Sequence, residues 1–287
     1  MNLTFKLKAY LELTKFEHSI FALPFALSSV VILEKGFPDL EKIFWIIIAL
    51  ISARTAGMAF NRFFDLPFDR LNPRTQSWAS VRGIVKPIEI LILAIISSML
   101  FMFSAYKLNK LAFYLSPIVI IILIVYPLGK RFTYFVHLIL GVVYFLIPIA
   151  VSIALEGKIE TSMIYLGLAM AFWVSGFDIL YALQDVNFDK KIGLYSIPAK
   201  FGIKKSLIIS RIFHIITFIF LILTGIKANL GYIYFIGLLI LSIFLYYEHS
   251  LIKPDNLSKI NKAFFTVNGL VSIIFFVIVL LDIFIKL

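Results

Sequence analysis

Two Asp-rich motifs carry the side chains of this sequence that are best suited to chemistry. The first reads Asp65-Leu-Pro-Phe-Asp69, and the second reads Asp185-Val-Asn-Phe-Asp189. Four carboxylates gathered at one place repel one another, and a hard divalent cation removes that cost. Mg2+ prefers oxygen ligands and commonly joins one or two carboxylates to phosphate oxygens. The repeated motif therefore predicts Mg2+ held by Asp65, Asp69, Asp185 and Asp189 and bridging to a diphosphate.

Basic residues flank the two motifs and are typical of a site that binds phosphate. Lys and Arg side chains neutralise phosphate oxygens, and Arg does so with a two-pronged hydrogen-bonding group. For Lys130 and Arg131, a role in membrane topology alone explains the charge equally well. The predicted diphosphate-binding residues are Arg70, Arg74, Lys130, Arg131, Lys190 and Lys191.

The spacing around the first motif predicts a stripe of polar residues on one helix. Residues four apart share a helix face, which places Asn61, Asp65 and Asp69 in one row. Arg54 lies two turns earlier on that row, and a cation that deep in a membrane helix is costly, which favours a functional role. Pro67 is expected to bend or end the helix.

The second motif has a preceding aromatic residue at the same spacing. Tyr181 stands four residues before Asp185, so it is predicted to belong to the site, although a place in the interfacial aromatic belt explains it nearly as well. The histidines show no metal-ligand spacing and are interpreted as structural or interfacial. They are His18, His137, His214 and His249.

The composition predicts that membrane-spanning helices position these motifs. The chain has 287 residues, of which 61% are hydrophobic and 15% charged, with no cysteine, whereas soluble domains are about half apolar and a quarter charged. The absence of cysteine excludes disulfides and thiol chemistry. The net charge of +11 is interpreted as loop Lys and Arg facing anionic lipid and substrates rather than nucleic acid.

Nine hydrophobic stretches are long enough for the roughly 20 residues that a bilayer crossing needs. The prediction is therefore an all-α, polytopic membrane protein. Two connecting segments, 65–87 and 184–205, are longer and more polar than the others, which is typical of functional loops. The predicted helices are Phe16–Leu33, Ile43–Phe63, Ile88–Tyr106, Leu111–Leu128, Phe135–Leu155, Met163–Tyr181, Leu207–Gly225, Leu230–Tyr247 and Ala263–Ile285.

The distribution of basic residues predicts how the chain crosses the membrane. Most loop Lys and Arg fall on one side of a nine-helix arrangement, and cytoplasmic loops carry such an excess. The N-terminus and both long loops are thus expected in the cytoplasm, and the C-terminus outside a cytoplasmic (inner) membrane. The repeated motif ends the second and sixth helices, which predicts two four-helix units plus a final helix, with the motifs facing each other.

These motifs resemble those of the UbiA-type membrane prenyltransferase superfamily. The first family motif, N-x3-D-x3-D followed by x-N-x-R-T, is matched from Asn61 to Thr75. The second, Y-x3-D-x3-D, is matched from Tyr181 to Asp189, and the segment Tyr126-x3-Lys130-Arg131 is also similar. The resemblance implies one membrane prenyltransferase domain over 1–287, with nine helices around a central cavity that opens laterally to lipid. It also implies Mg2+ at the four Asp residues, and Arg54 and Asn61 near an aromatic acceptor.

Within the superfamily, the chain is most similar to the 4-hydroxybenzoate polyprenyltransferases. The expected reaction is Mg2+-dependent transfer of a polyprenyl group from its diphosphate to a small hydroxylated aromatic acid in respiratory quinone biosynthesis, with Asp65 or Asp185 helping to remove a proton. Arg62 and the segment Lys15-Phe-Glu-His-Ser19 differ from the common pattern. They resemble a subgroup proposed to prenylate 1,4-dihydroxy-6-naphthoate for menaquinone.

Two further alternatives remain open from the sequence. A relative with another acceptor, such as haem or a glycerol phosphate, would share the Asp motifs. A secondary transporter would belong to a different class, and its internal repeats can look similar. Both motifs lie on the same predicted side of the membrane, which disfavours inverted repeats but is compatible with parallel ones.

Overall fold

A computed structural model describes residues 3–15, 21–36 and 39–285, and in these ranges the chain is almost entirely helical, without a named β-strand. Two short 3-10 turns, at Gly129–Arg131 and Leu183–Asp185, and a π-helical turn at Lys262–Val267 join longer helices. The α-helices are α1 Leu3–Thr14, α2 Leu23–Glu34, α3 Leu40–Asp69, α4 Pro87–Leu108, α5 Lys110–Leu128, α6 Val136–Glu156, α7 Thr161–Ala182, α8 Val186–Ile192, α9 Ile197–Ala228, α10 Tyr232–Leu251 and α11 Asn268–Phe284.

The predicted all-α membrane fold is confirmed. Each predicted hydrophobic stretch corresponds to one helix, namely α2 to α7 and α9 to α11. In the described ranges, eight helices are long and apolar enough to cross a membrane, and α2 is a shorter apolar helix. The predicted start of the first stretch, at Phe16, lies outside the described residues, as do His18 and most of the segment Lys15–Ser19. The sequence patterns did not predict α1 and α8, which are short.

The chain forms two compact units. Unit 1 comprises residues 1–19 and 44–128, and unit 2 comprises residues 20–43 and 129–287. The division does not follow chain order, because α2 packs against α6 and α11 of unit 2. The four-helix grouping inferred from the repeat therefore differs from the contact-based units in the place of the first hydrophobic helix.

In unit 1, small residues of α3 form the packing surface. Ala56 and Ala59 are fully buried beside Ile90 and Ala94 of α4, and α1 contributes Leu13 to the same cluster. Small side chains let membrane helices approach closely, which increases their van der Waals contact. Large apolar side chains of α4 and α5 point outward, as expected for surfaces in contact with lipid.

In unit 2, α7 is the central helix, since it packs along both α6 and α9. The approach to α6 depends on Gly141, where a Cβ atom would lie 2.7 Å from the carbonyl oxygen of Ala171. On the other side, Ser210 of α9 donates a hydrogen bond of 2.8 Å to the carbonyl of Gly176. Two-thirds (67%) of the most apolar part of this helix is buried inside the protein, compared with 17% for α5.

Candidate active site

The first Asp motif lies at the end of α3 in unit 1. Pro67 was expected to bend or end the helix; the helix includes Pro67 and ends two residues later, at Asp69, so it does not end at the proline itself. The ring of Pro67 is exposed and lies two residues before the end of the helix, so little regular helix follows the hydrogen bond and the steric contact that a proline disturbs. Because the helix is continuous, Asn61, Asp65 and Asp69 follow one another on its face at successive turns.

Neighbouring side chains hold the two carboxylates of the first motif. The amide nitrogen of Asn61 donates a hydrogen bond of 3.0 Å to Oδ2 of Asp65. One guanidinium nitrogen of Arg62 lies 3.9 Å from Oδ2 of Asp69. Arg62 is itself buried and stacks on Trp78, with its guanidinium carbon 3.7 Å from the ring centroid. A planar guanidinium can stack and pair with a carboxylate at once, so Arg62 places a positive charge beside Asp69.

The turn after α3 is closed by the residues that come next in the chain. The Thr75 hydroxyl is fully buried and lies 2.6 Å from the carbonyl oxygen of Asp69 and 3.1 Å from that of Asn72. The Asn72 side chain accepts a hydrogen bond of 3.0 Å from the backbone N–H of Arg74. The bond to the Asp69 carbonyl satisfies a group that the end of the helix leaves unpaired, and the other two bonds hold the turn that follows.

The basic residues of unit 1 differ in how much of each side chain is exposed. Arg54 is half-buried in α3, whereas Arg70 is exposed immediately after the helix. Arg74 is half-buried, with its guanidinium carbon 5.5 Å from the Trp78 ring centroid. Arg54 and Asp65 are 11 residues apart (65 − 54), or about three helical turns along α3.

The second Asp motif lies in unit 2, where its backbone differs from that of the first. The helix α7 ends at Ala182, a 3-10 turn covers Leu183–Asp185, and α8 begins at Val186. The four-residue spacing of Tyr181, Asp185 and Asp189 is therefore not carried by one continuous helix, because the α-helix ends at Ala182. Both carboxylates are nevertheless enclosed, since Asp185 is 6% exposed and Asp189 is 2% exposed.

Asp189 is held by the loop that comes after it. The hydroxyl of Ser196 donates a hydrogen bond of 3.0 Å to Oδ2 of Asp189, and the same hydroxyl caps α9 by accepting from the N–H of Ala199. Gly193, with φ of 79°, ends α8 in the left-handed conformation, which glycine adopts without steric strain. The backbone N–H groups of Gly193 and Leu194 both donate to the carbonyl of Asp189.

Lys130 belongs to the environment of the second motif. Its charge acts electrostatically on Asp189, as does that of Asp185. The Lys130 carbonyl accepts a hydrogen bond of 2.8 Å from the N–H of Tyr195, which connects the turn after α5 to the loop after α8. The remaining predicted phosphate ligands of unit 2 are exposed, and they are Arg131, Lys190 and Lys191.

One residue beside the second motif, His137, was interpreted from the sequence as structural or interfacial, and its contact with Asp178 was not predicted. Nδ1 of His137 lies 2.7 Å from Oδ2 of Asp178, and His137 is almost fully buried. Asp178 lies seven residues (185 − 178) before Asp185, which was a usable signal, but no sequence spacing connects it to His137. Tyr181 packs against Phe264, with 4.2 Å between the ring centroids.

Each of the two motifs offers oxygen donors that fit Mg2+. All four side chains offer hard carboxylate oxygens, which this ion prefers. In the second motif two carboxylates are buried in a membrane protein, and a buried charge requires a compensating one. Supporting partners hold the carboxylates, namely the Asn61 amide at Asp65 and the Ser196 hydroxyl at Asp189. Such bonds orient metal ligands.

The fold and the paired motifs define an all-α polytopic membrane enzyme. The chain belongs to the UbiA prenyltransferase family, whose sequence pattern matches residues 22–270. It is 31% identical over 272 residues to a 4-hydroxybenzoate octaprenyltransferase of Shewanella sp. (strain W3-18-1), which covers 93% of this chain and 94% of that protein. A protein of the same name from Shewanella loihica is 31% identical over 279 residues, covering 96% and 97% of the two chains.

Solved structures agree with this assignment. The apo structure of a UbiA homologue from Aeropyrum pernix K1 has a TM-score of 0.83 and 31% identity, covering 93% of this chain and 98% of that one. A UbiA homologue from Archaeoglobus fulgidus, solved with DMAPP and Mg2+, has a TM-score of 0.72 and 20% identity, covering 96% and 99% of the chains. At that identity, the second likeness supports the fold alone.

Proposed function

We propose that this prenyltransferase transfers a polyprenyl group from its diphosphate to a hydroxylated aromatic acid of the 4-hydroxybenzoate class, with Mg2+, in respiratory quinone biosynthesis. The observation that carries the proposal is the pair of Asp motifs, each held by its own hydrogen-bonding partner. Relatives named 4-hydroxybenzoate octaprenyltransferase match over nearly the whole chain, which supports both the acceptor class and a single catalytic domain over 1–287.

In the proposed reaction, the bond between the prenyl C1 atom and the diphosphate oxygen breaks, and the oxygen keeps the electron pair. The aromatic ring then forms a carbon–carbon bond to C1, and a ring proton leaves to restore aromaticity. Asp65 or Asp185 accepts that proton. The Lys and Arg residues at the motifs, above all Lys130 beside Asp189, neutralise the departing diphosphate, because charge builds up on its oxygens.

The four Asp residues would hold Mg2+, and when bound the ion supplies Lewis-acid stabilisation of the diphosphate leaving group. Asn61 orients Asp65 for this role, and Ser196 orients Asp189. Arg54 is proposed to bind the acceptor carboxylate, because a guanidinium matches a carboxylate with two parallel hydrogen bonds. Tyr181, at the end of α7, is proposed to line the site.

We further propose that the motif-bearing loops are cytoplasmic and that the C-terminus is external. The excess of Lys and Arg in those loops supports this orientation. A reporter inserted after Arg74 should therefore be read as cytoplasmic, and one inserted at Gly157, between α6 and α7, as external. The orientation is refuted if the Gly157 reporter is cytoplasmic.

A membrane assay tests the proposed reaction directly. Membranes containing the chain are offered one polyprenyl diphosphate and several acceptors, namely 4-hydroxybenzoate, 1,4-dihydroxy-6-naphthoate and a glycerol phosphate, and products are identified by mass spectrometry. We expect a prenylated 4-hydroxybenzoate that forms with Mg2+ and disappears with EDTA. A prenylated naphthoate alone would support the menaquinone alternative instead.

The control for this assay is a carboxylate outside the motifs. Asp255 is exposed in the loop after α10. The variant Asp255→Asn removes one negative charge, as a substitution of a motif Asp would, but leaves both motifs intact. Its activity should match that of the unchanged protein. Undiminished product formation in EDTA would contradict the requirement for a metal.

A further inference from the structure

A second group of ionisable side chains lies in unit 2, away from the Asp motifs in sequence. His214 comes from α9, and Glu248 and His249 come from the end of α10. Each offers one possible metal-ligand atom, and these three atoms lie within 4.8 Å of one another. Ionisable residues inside a membrane-spanning bundle are costly and are commonly retained for a function.

The hydrogen bond between His214 and Trp173 determines which ring nitrogen of His214 carries the proton. Nε2 of His214 lies 3.2 Å from the carbonyl oxygen of Trp173, and because a carbonyl only accepts, Nε2 carries the proton. In a neutral imidazole the other nitrogen, Nδ1, then carries a lone pair, which can accept a hydrogen bond or bind a metal ion. Gly176 makes room for this ring, since a Cβ atom there would overlap it.

The lone pair of His214 points to the other two side chains. Nε2 of His249 lies 2.9 Å from Nδ1 of His214, and Oε2 of Glu248 lies 3.5 Å from the same atom. Ligand atoms around a tetrahedral Zn2+ with bonds near 2.0–2.1 Å stand roughly 3.3–3.4 Å apart. The separation from Glu248 is close to that value, whereas the 2.9 Å separation from His249 is shorter and would have to lengthen by about 0.4 Å when the ion binds.

Glu248 is poorly explained as part of a metal-free network. Its side chain is 0% exposed, and its Oε2 atom has no hydrogen-bond partner among the described residues. The 3.5 Å separation from His214 is too long for a good hydrogen bond. A buried ionised carboxylate without a donor is costly, and either a proton or a bound cation removes that cost. The ring nitrogens of His214 and His249 favour a cation, because together with Glu248 they supply three possible ligand atoms.

The opposite oxygen of Glu248 is held in place. The Asn268 amide donates a hydrogen bond of 2.6 Å to Oε1 of Glu248, and the Asn268 oxygen accepts from the indole N–H of Trp173 at 2.8 Å. Trp173 therefore supports two of the three residues. Its carbonyl binds His214 directly, and its indole holds Asn268, which in turn holds Glu248. Supporting bonds of this kind orient ligands in protein metal sites.

The cluster also has a path to its surroundings. His214 and His249 line a groove of about 590 Å³, together with Arg211, Phe218, Ser242 and Tyr246. A proposed ion would enter through this groove, where a water molecule would complete its coordination. Two histidines, one glutamate and an open position form a ligand set that Zn2+ adopts, whereas Mg2+ prefers an octahedral set of oxygens.

We propose that His214, Glu248 and His249 bind a divalent transition-metal ion of the Zn2+ class, which joins α9 to α10. The site is distinct from the proposed Mg2+ site in both its residues and its ligand atoms. The proposal does not depend on the prenyl acceptor or on the proposed chemistry.

The test uses Co2+ as a spectroscopic probe of the purified full chain in detergent. The protein is stripped of metal, and excess Mg2+ is added to occupy the hard oxygen ligands of the Asp motifs. We expect one equivalent of Co2+ to give the intense visible absorption of a low-coordinate nitrogen-ligated ion, and Zn2+ to abolish it. Absence of this absorption in the unchanged protein would overturn the proposal.

Variants locate the ion. Glu248→Gln keeps the side-chain shape and the acceptor for Asn268, so it should fold but bind Co2+ at least about a hundredfold more weakly. Asn268→Ala should weaken binding by about tenfold to a hundredfold, as loss of a supporting partner does. Half-buried His249 provides a second ligand variant, His249→Gln, which tests the same site if Glu248→Gln is poorly folded.

Two controls complete the experiment. Asp255→Asn and Asp69→Asn should both keep the Co2+ absorption, because neither residue belongs to the cluster. Zn2+ should also raise the unfolding temperature of the unchanged protein but not that of Glu248→Gln, since a ligand stabilises the state that binds it. Unaltered Co2+ binding by Glu248→Gln and His249→Gln would show that these side chains form a hydrogen-bonded network and not a metal site.

Discussion

In unit 1, both carboxylates of the Asp motif lie on one continuous helix, whereas in unit 2 the corresponding pair lies on a 3-10 turn and a separate short helix. The first pair is partly exposed, and its Asp69 is paired with a buried arginine. The second pair is almost fully enclosed, and its Asp189 is held by a hydroxyl and lies near Lys130. An identical spacing in sequence is thus realised by two different backbones.

Each motif is stabilised by the residues immediately C-terminal to it, and these differ between the two units. After Asp69, Thr75 ties the turn to backbone carbonyls. After Asp189, Gly193 ends the helix and Ser196 reaches the carboxylate itself. The second motif should therefore be the more sensitive to substitution, because its carboxylates have little access to water that could replace a lost interaction.

The largest expected effect compares Asp189→Ala with Asp69→Ala. Both should lower kcat/KM for the prenyl diphosphate, Asp189→Ala by about a hundredfold or more and Asp69→Ala by about tenfold to a hundredfold, since metal-site support is worth that much. The measurement is steady-state kinetics at saturating acceptor. Equal losses, or a larger loss for Asp69→Ala, would remove the distinction between the motifs.

A second prediction concerns the residue that lies about three helical turns before the first Asp of each motif, which differs between the two units. Arg54 in α3 corresponds, at the 120-residue offset of the repeat (185 − 65), to the buried Val174 in α7. If only the first unit binds the acceptor, Arg54→Lys should raise the acceptor KM by roughly tenfold to a hundredfold, because Lys keeps the charge but loses the two-pronged contact.

The measurement varies each substrate of Arg54→Lys in turn. The prenyl diphosphate KM should change little, which separates an acceptor role from a diphosphate role. An effect confined to the diphosphate KM would instead assign Arg54 to the leaving group. Unchanged kinetics for both substrates would mean that Arg54 is an interfacial cation.

The smallest expected effect compares Ser196→Ala with Thr75→Val. Ser196 contacts the carboxylate of Asp189, so its loss should raise the Mg2+ concentration needed for half-maximal activity by about tenfold. Thr75 contacts only backbone carbonyls, so Thr75→Val should lower the free energy of unfolding in detergent by about 1 kcal/mol. The unfolding temperature should fall accordingly, and the Mg2+ requirement should not change. The comparison fails if Thr75→Val alters the Mg2+ requirement as much as Ser196→Ala does.

Hydrophobic runs were sufficient to predict the membrane helices, because a bilayer crossing demands a length and an apolarity that few other structures need. The Asp residues of the motifs could also be predicted from the sequence, because carboxylates repeated at a fixed spacing are rare in membrane helices. The extension of α3 past Pro67 could not be predicted, because the cost of a proline near a helix end depends on how the neighbouring turns adjust and on the residues that close the helix.

Side-chain contacts between different helices could not be predicted from the sequence either. His137 meets Asp178 across α6 and α7, and His214 meets His249 across α9 and α10. Each histidine looked structural because ligand spacing is visible only when partners share one element. The break between α7 and α8 was similarly hidden, since a 3-10 turn and an α-helix place apolar residues at nearly the same spacing.

The central position of α7 has a consequence for how the protein enters the membrane. This helix is the most enclosed of the spanning segments that the structure describes, and it is also less apolar than α5. A segment that will be covered by protein needs less affinity for lipid than one that remains in contact with it. During synthesis, α7 should therefore be the weaker candidate for independent insertion and should depend on α6 to keep it in the bilayer until α9 arrives. Its transfer into the membrane is thus expected to be a cooperative event of biogenesis, whereas that of α5 is autonomous.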